Sequence, residues 1–236
     1  MSSDSIRQKI EENASHDLIP VLDSARDHRE TNYHRLVFST TTFPWTDPNP
    51  YSASPNLLGV RIDVCERSGQ FTKPYYILLR REEKSRLCVY RHTVPAFVPI
   101  DKLAARYLPV PRPRRETTIK PDRTRSQDLK AFVRHVRKEL AAWHLRRDSI
   151  AWLQESLGLS DPSKESPLVS LVATSLESRY ARLEWRDGRV GRFKISDAGL
   201  VERAVVIGDQ GRDKRMEDIL TGGDRRVESL AGRLQT

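Results

Sequence analysis

No stretch of this 236-residue chain approaches the roughly 20 consecutive apolar residues of a membrane-spanning helix, and its opening residues, MSSDSIRQKI, contain no apolar signal core. Neither a membrane span nor a secretory leader is expected. Cysteine is nearly absent: Cys65 and Cys88 are the only two, both inside strand-like runs, and they read as buried, reduced thiols of an intracellular protein rather than a disulfide or metal site. The six histidines form no HExxH pattern, no cysteine pair has zinc spacing, and no Gly-x-Ser-x-Gly elbow occurs. The glycines at 208–211 and 222–223 lack the Lys-Ser/Thr ending of a phosphate loop. These absences point to a non-enzyme with no metal and no cofactor.

Charge is abundant instead. Of the residues, 31% are charged, the formal net charge is +9, and the mean hydropathy of −0.62 implies extensive charged surface. Between residues 110 and 147 there are twelve Lys/Arg against four acids, so this segment alone carries +8. Part of it is the proline-rich connection with Arg112, Arg114 and Arg115. The rest lies on a predicted helix, where Lys130, Arg134, Arg137 and Lys138 form a face turned away from Leu129. Such a cluster can neutralise DNA phosphates or dock an acidic protein segment, whereas a solvated helix face is the plainer explanation of a charge run. Phe132 and Trp143, the aromatic residues nearby, fit a core stripe better than a base-stacking platform.

The order of elements is legible from periodicity. Residues 1–29 suggest a weak helix interrupted at Pro20, Tyr33 to Phe43 a first strand, and Pro44 to Pro55, with four prolines, a surface loop. Leu57 to Cys65 reads as a second strand. Tyr75 to Leu79 is a short continuous apolar run suited to a strand buried on both faces, and Leu87 and Val89 mark its half-buried partner. Then comes a proline-framed turn. Pro95 holds Val94 out of the helical region, Pro99 suits a first helical turn, Phe97 is expected to pack inward, and Ile100, Leu103, Ala104 and Tyr107 follow at helical spacing.

The second half repeats that order without repeating the sequence. A capping box of Thr124 and Gln127 opens a long helix in which Leu129, Val136, Trp143, Ile150 and Leu157 recur every seven residues. Arg146 and Arg147 interrupt the stripe, which requires a shifted buried face or a bend. Ile150 and Trp152, with Trp143, are candidates for core or for a partner surface. Four strands are expected next, from Leu168, through Ala181 to Trp185, from Phe193 to Ile195 and from Leu200 to Ile207, with Asp187-Gly188 as a two-residue hairpin turn. Two short helices divided by Gly222-Gly223 close the chain.

The proline pair resembles the Tyr-Pro-x-x-x-Pro signature of RWD domains, with Val94 in place of the tyrosine. The run Arg91-His92-Thr93-Val94-Pro95-Ala96-Phe97-Val98-Pro99, then Leu103-Ala104, Tyr107-Leu108-Pro109 and Trp143-His144-Leu145-Arg146, is similar to the centromere protein O (CENP-O) family of the inner kinetochore. So are His34-Arg35-Leu36, TTFPWTDP from Thr41 to Pro48, and Leu58 to Val64. The resemblance covers roughly residues 31–160 well. It implies an α+β fold of two tandem RWD-like modules, each a helix, a four-stranded antiparallel meander and a C-terminal helix. The implied division is an N-terminal helical or flexible segment at 1–30, a first module with its basic connection at 31–125, and a second module at 126–236 that begins with the long helix. The second copy has no Pro-x-x-x-Pro turn.

An RWD fold resembles the ubiquitin-conjugating fold, so an enzymatic or cofactor role of that kind is a third possibility. It lacks support, because no His-Pro-Asn occurs and Cys88 sits between Leu87 and Val89 in a strand. What the resemblance implies is a non-catalytic nuclear subunit of the kinetochore at the centromere. Centromere protein P would be its heterodimer partner, with centromere proteins Q and U and centromeric chromatin in the wider assembly. The alternative is a basic adaptor whose main ligand is DNA.

Overall fold

A computed structural model describes residues 19–52, 54–82, 86–110, 126–159, 166 and 168–235. The first helix, α1, runs from Ile19 to Phe38, and β1 follows at Thr40–Thr46. The strand expected at Tyr33 to Phe43 is therefore helical over its first half. Alternation of Tyr33, Arg35 and Val37 imitates a strand, but His34 and Phe38 stack one turn apart with ring centroids 6.2 Å from each other, and Ser39 N–H closes the helix on the Arg35 carbonyl at 3.0 Å. One anchor holds the C-terminal end of α1. Arg35 Nε meets Asp63 at 2.9 Å and its guanidinium lies 4.2 Å from the centre of the Phe71 ring. Pro44, expected in a loop, lies inside β1 opposite Leu58. A proline is tolerated there because β1 is the sheet edge, where a missing N–H breaks no ladder.

β2 (Asn56–Ile62), β3 (Tyr75–Glu82) and β4 (Arg86–His92) complete a four-stranded antiparallel sheet in the order β1-β2-β3-β4. The chain then turns through Pro95, with Val98 N–H on the Pro95 carbonyl at 3.0 Å, and enters α2 (Ile100–Tyr107) with Pro99 at its N-cap. A proline before the first turn sacrifices only a donor that the helix cannot use.

α3 (Leu129–Ser156) is the longest element. Its N-cap is Asp128, whose carboxylate accepts the Ala131 N–H at 2.8 Å, and not the expected box of Thr124 and Gln127. Thr124 lies outside the described residues. Gln127 is engaged elsewhere: its amide accepts from Leu87 N–H at 2.8 Å and donates to the Leu87 carbonyl at 2.9 Å, tying β4 to the start of α3.

The second sheet is an antiparallel meander of five strands, not four: β5 (Leu168–Ala173), β6 (Tyr180–Trp185), β7 (Val190–Ile195), β8 (Val201–Gly208) and the two-residue β9 (Gly211–Arg212). Four residues, Arg186 to Arg189, join β6 to β7, and Trp185 N–H donates to the Arg189 carbonyl at 2.9 Å. Trp185 carbonyl accepts from Gly188 N–H, and Gly188 takes φ +87°, the left-handed position that closes such a hairpin with a bulge. α4 (Lys214–Thr221), capped by Asp213, and α5 (Leu230–Gln235) follow on either side of Gly222-Gly223.

Two cores result, and α3 contributes to both. Phe132, Val136 and Leu140 pack with Val60, Ile62, Ile77 and Leu79 of the first sheet. Ile150, Leu153 and Leu157 pack with Leu171, Leu183, Phe193 and Val206 of the second, together with Leu220 and Leu230 from the last two helices. At about 100° per residue the apolar stripe rotates by roughly 70° between the two halves of α3. The mixed α+β architecture with two antiparallel sheets agrees with the sequence expectation.

Candidate functional site

The middle of α3 lies between the stretches that serve the two cores, and the side chains there explain how the halves are joined. Trp143 is half-buried. Its ring sits 5.1 Å from Phe97 in the proline-framed turn, and its Nε1–H donates to the Leu176 carbonyl at 3.0 Å, so one residue links the first sheet's exit turn to the β5–β6 connection. Phe97 packs against the first core but is itself only half-buried. Arg146 does not bend the stripe away: it is buried, donating from Nε to the Glu177 carbonyl at 3.1 Å and from Nη1 to Asp197 at 2.7 Å. Arg179 shares Asp197 at 2.9 Å. A buried guanidinium with both a carbonyl and a carboxylate acceptor keeps its charge at tolerable cost.

The next residue, Arg147, gathers the acids of the joint. It donates to Glu66 from the β2–β3 connection and to Asp148 at 3.2 Å. Beside them, Tyr75 hydroxyl and His144 Nε2 lie 2.8 Å apart. Burial raises Tyr75 above the usual phenol range and pulls His144 below the usual imidazole range, with the Arg147 charge adding to the latter. Ligand atoms of Glu66, His144 and Asp148 lie within 4.8 Å of one another, a spacing that could hold a cation. Arg147 bridges the two carboxylates and Tyr75 occupies His144 Nε2, so the group forms an ion-pair network that ties the β2–β3 loop to α3. Neither network was foreseen from sequence; the Arg146-Arg147 interruption of the stripe was its one visible trace.

Of the other candidate stripe residues, Ile150 belongs to the second core, and Trp152 is half-buried against it with the Arg67 guanidinium 4.6 Å from its ring centre. The basic face of α3 is open. Lys130, Arg134, Arg137 and Lys138 are all exposed, and none forms an ion pair with another described residue. Arg112, Arg114 and Arg115 lie outside the described residues.

The thiols are less buried than expected. Cys65 is exposed, in a short bridge with Phe71 after β2, and Cys88 is half-buried on β4. Both readings failed because a position in a strand-like run leaves open which face turns to solvent. Burial, the hydrogen bond to Glu82 and that carboxylate's charge push the Cys88 thiol up to about 11, the reverse of an activated nucleophile.

Two further faces are uncovered. The outer side of the second sheet exposes Val172, Val190, Val205 and Ile207, and α1 exposes Tyr33, Val37 and Phe38. Arg182, Glu184 and Arg192 share the sheet face with those apolar side chains, so the exposed surface is a mixed one.

The family described as Cenp-O kinetochore centromere component matches residues 40–234, which takes in both sheets, α3 and the last two helices. The chain belongs to the CENP-O family. A similar curated protein, the inner kinetochore subunit MCM21 of Saccharomyces cerevisiae (strain ATCC 204508 / S288c), is 34% identical over 80 residues, covering 29% of this chain and 22% of that protein. The CENP-O match places the chain in the nucleus, at the centromere, as a component of the kinetochore.

Proposed function

We propose that this CENP-O family protein is a non-catalytic structural subunit of the inner kinetochore, built as two tandem RWD-like modules that share α3, with module boundaries near residues 31 and 126. Centromere protein P is its heterodimer partner, and centromere proteins Q and U join them on centromeric chromatin for chromosome segregation. The observation that carries this reading is the family match, which runs across both sheets and the helix that joins them. Its physical support is the outer side of the second sheet, where Val172, Val190, Val205 and Ile207 stand exposed among Arg182, Glu184 and Arg192, a mixed surface that a partner of standard interface size would cover. A non-catalytic role agrees with the elevated Cys88 thiol. Coexpression with centromere protein P and size-exclusion chromatography test it. A stoichiometric heterodimer supports the reading, and a monodisperse monomer that ignores centromere protein P refutes it.

A second reading is favoured by one observation, the exposed basic face of α3, which has no ion-pair partner among the described residues: the assembled complex contacts DNA phosphates through Lys130, Arg134, Arg137 and Lys138. Affinity for a random duplex would then fall with salt at a logarithmic slope of about 0.9 per phosphate neutralised, and charge reversal of the four would abolish it. Identical titrations of wild-type and reversed complexes would leave DNA to other subunits.

A further inference from the structure

The strand register lays out the outer face of the second sheet residue by residue. Leu171, Ala181, Leu183, Phe193, Ala204 and Val206 turn into the second core, so their neighbours along each strand turn outward. Across the middle of that outer face Val172, Arg182, Arg192 and Val205 stand side by side on four strands. Tyr180, Lys194 and Arg203 form the row on one side, and Ser170, Glu184, Val190 and Ile207 the row on the other. All of these residues are described, as are the loops at 174–179 and 196–200 that border them.

The cations on this face are placed at a cost to the free chain. Arg182 lies directly opposite Arg192, and Lys194 directly opposite Arg203. Like charges in that cross-strand position repel each other. Two of the four are relieved, because Arg182 meets Glu184 at 2.8 Å and Lys194 meets Glu202 at 2.6 Å. Glu184 also accepts from the Ser170 hydroxyl at 3.0 Å. Arg192 and Arg203 have no carboxylate among the described residues, and the Arg192 guanidinium sits instead 4.5 Å from the centre of the Tyr180 ring. Around them apolar side chains stand open: Val172 is 47% exposed and Ile207 58%. Arginine, unlike lysine, is enriched in protein interfaces, and three of the four cations here are arginines.

We infer that this face receives the heterodimer partner, and that the partner's side presents Asp or Glu carboxylates to Arg192 and Arg203 and apolar side chains to Val172, Val205 and Ile207. The inference rests on the heterodimer reading and adds to it a surface and a chemistry. Charge complementarity selects the carboxylates, which also relieve the opposed cations. The mixture selects a protein over a nucleic acid. Phosphates would meet Glu184 and Glu202 as well as the arginines, and would leave Val172, Val205 and Ile207 against water.

The test titrates the full chain with centromere protein P by isothermal calorimetry, as wild type, Arg192→Glu, Val172→Glu and, for a charge change elsewhere, Lys130→Glu/Arg134→Glu. Both face variants put a carboxylate directly opposite Arg182, which makes a favourable cross-strand pair. The melting temperature of the chain should therefore stay close to that of the wild type, while affinity for centromere protein P falls at least tenfold in each. Lys130→Glu/Arg134→Glu should keep the wild-type affinity. If the free chain aggregates, the yield of complex on coexpression, read against the amount of soluble chain, gives the same comparison. A wild-type heterodimer matched in affinity by both face variants would overturn the inference and leave the heterodimer reading standing. No heterodimer in the wild type would refute that reading and the inference with it. Binding of a random 20-base-pair duplex that is lost in Arg192→Glu, with centromere protein P still bound, would assign the face to nucleic acid and overturn the inference.

Discussion

The two sheets rest on one helix but close their cores differently. The first meander completes its core with α2 and the N-terminal half of α3, leaving a cleft at one end, while Arg35 anchors the end of α1 on Asp63. The second recruits α4 and α5 from its own C-terminal side as well as α3, and its core contains more buried residues. The same antiparallel-meander plan therefore yields one half that is closed by its own chain and another that keeps a lined opening. What separates them is the helical cover supplied after the last strand.

If α3 belongs equally to both cores, damage at either end should be felt by the whole. Phe132→Ala in the first core should cost about 3 to 5 kcal/mol and Leu153→Ala in the second about 2 to 5 kcal/mol, since both side chains are fully buried. Urea unfolding followed by Trp fluorescence and by circular dichroism should show one coincident transition for each variant. Two separated transitions, each sensitive to only one substitution, would break the idea of a shared spine.

The joint should matter less than either core. Phe97 is half-buried, so Phe97→Ala should cost about 2 kcal/mol, below the range for full burial, and its effect should shrink when Trp143→Ala is already present, by the roughly 0.5 to 1.5 kcal/mol of an aromatic pair. Additive losses in that cycle would show that the two rings stabilise their own halves and not the link between them.

The same joint predicts a pH dependence. Burial, and then the Arg147 charge, hold the folded His144 pKa below its ordinary value of 6.5, while Glu66 and Asp148 oppose the shift. The unfolded chain then takes up the proton first, so stability is fully present above about pH 6.5 and is lost as pH falls below it. Melting temperatures between about pH 6.5 and 5 should decline in the wild type and decline less in His144→Gln, with Tyr75 still offered a partner. Parallel declines would show that His144 is not the group responsible.

The smallest effects belong to the surface. Reversing Lys130, Arg134, Arg137 and Lys138 should move stability by only about 0.5 kcal/mol, because none has a carboxylate to lose among the described residues. Cys65→Ser and Cys88→Ser should likewise leave assembly intact, and no thioester should form on either in a ubiquitin-charging assay. A charged adduct on Cys88 would contradict a thiol held near 11.

Strands with clean apolar runs or alternation, such as Tyr75 to Leu79 and Ala181 to Trp185, were legible because a buried face imposes its period on the residues themselves. The turn at Pro95 to Pro99 was legible for a related reason: proline restricts its own backbone and its neighbour's whatever surrounds it. Tyr33 to Phe38 misled because a few apolar residues on a largely exposed helix satisfy a strand's alternation as well as a helix's spacing. The capping box misled for another reason. Gln127 was taken by Leu87, forty residues earlier in the chain, and Asp128 was free to cap.

Sequence by itself determined the two-part α+β order, the basic segment, the proline-framed turn and the likeness to the CENP-O family, all of which rest on local restrictions or on residue identity. Only tertiary structure decided that α3 serves both cores, that Arg146 is buried on Asp197 and the Glu177 carbonyl, that Cys65 faces solvent, and that Arg80 and Arg86 line one cleft. Those are relations between residues far apart in the chain. No window of sequence contains the partner that gives each its meaning.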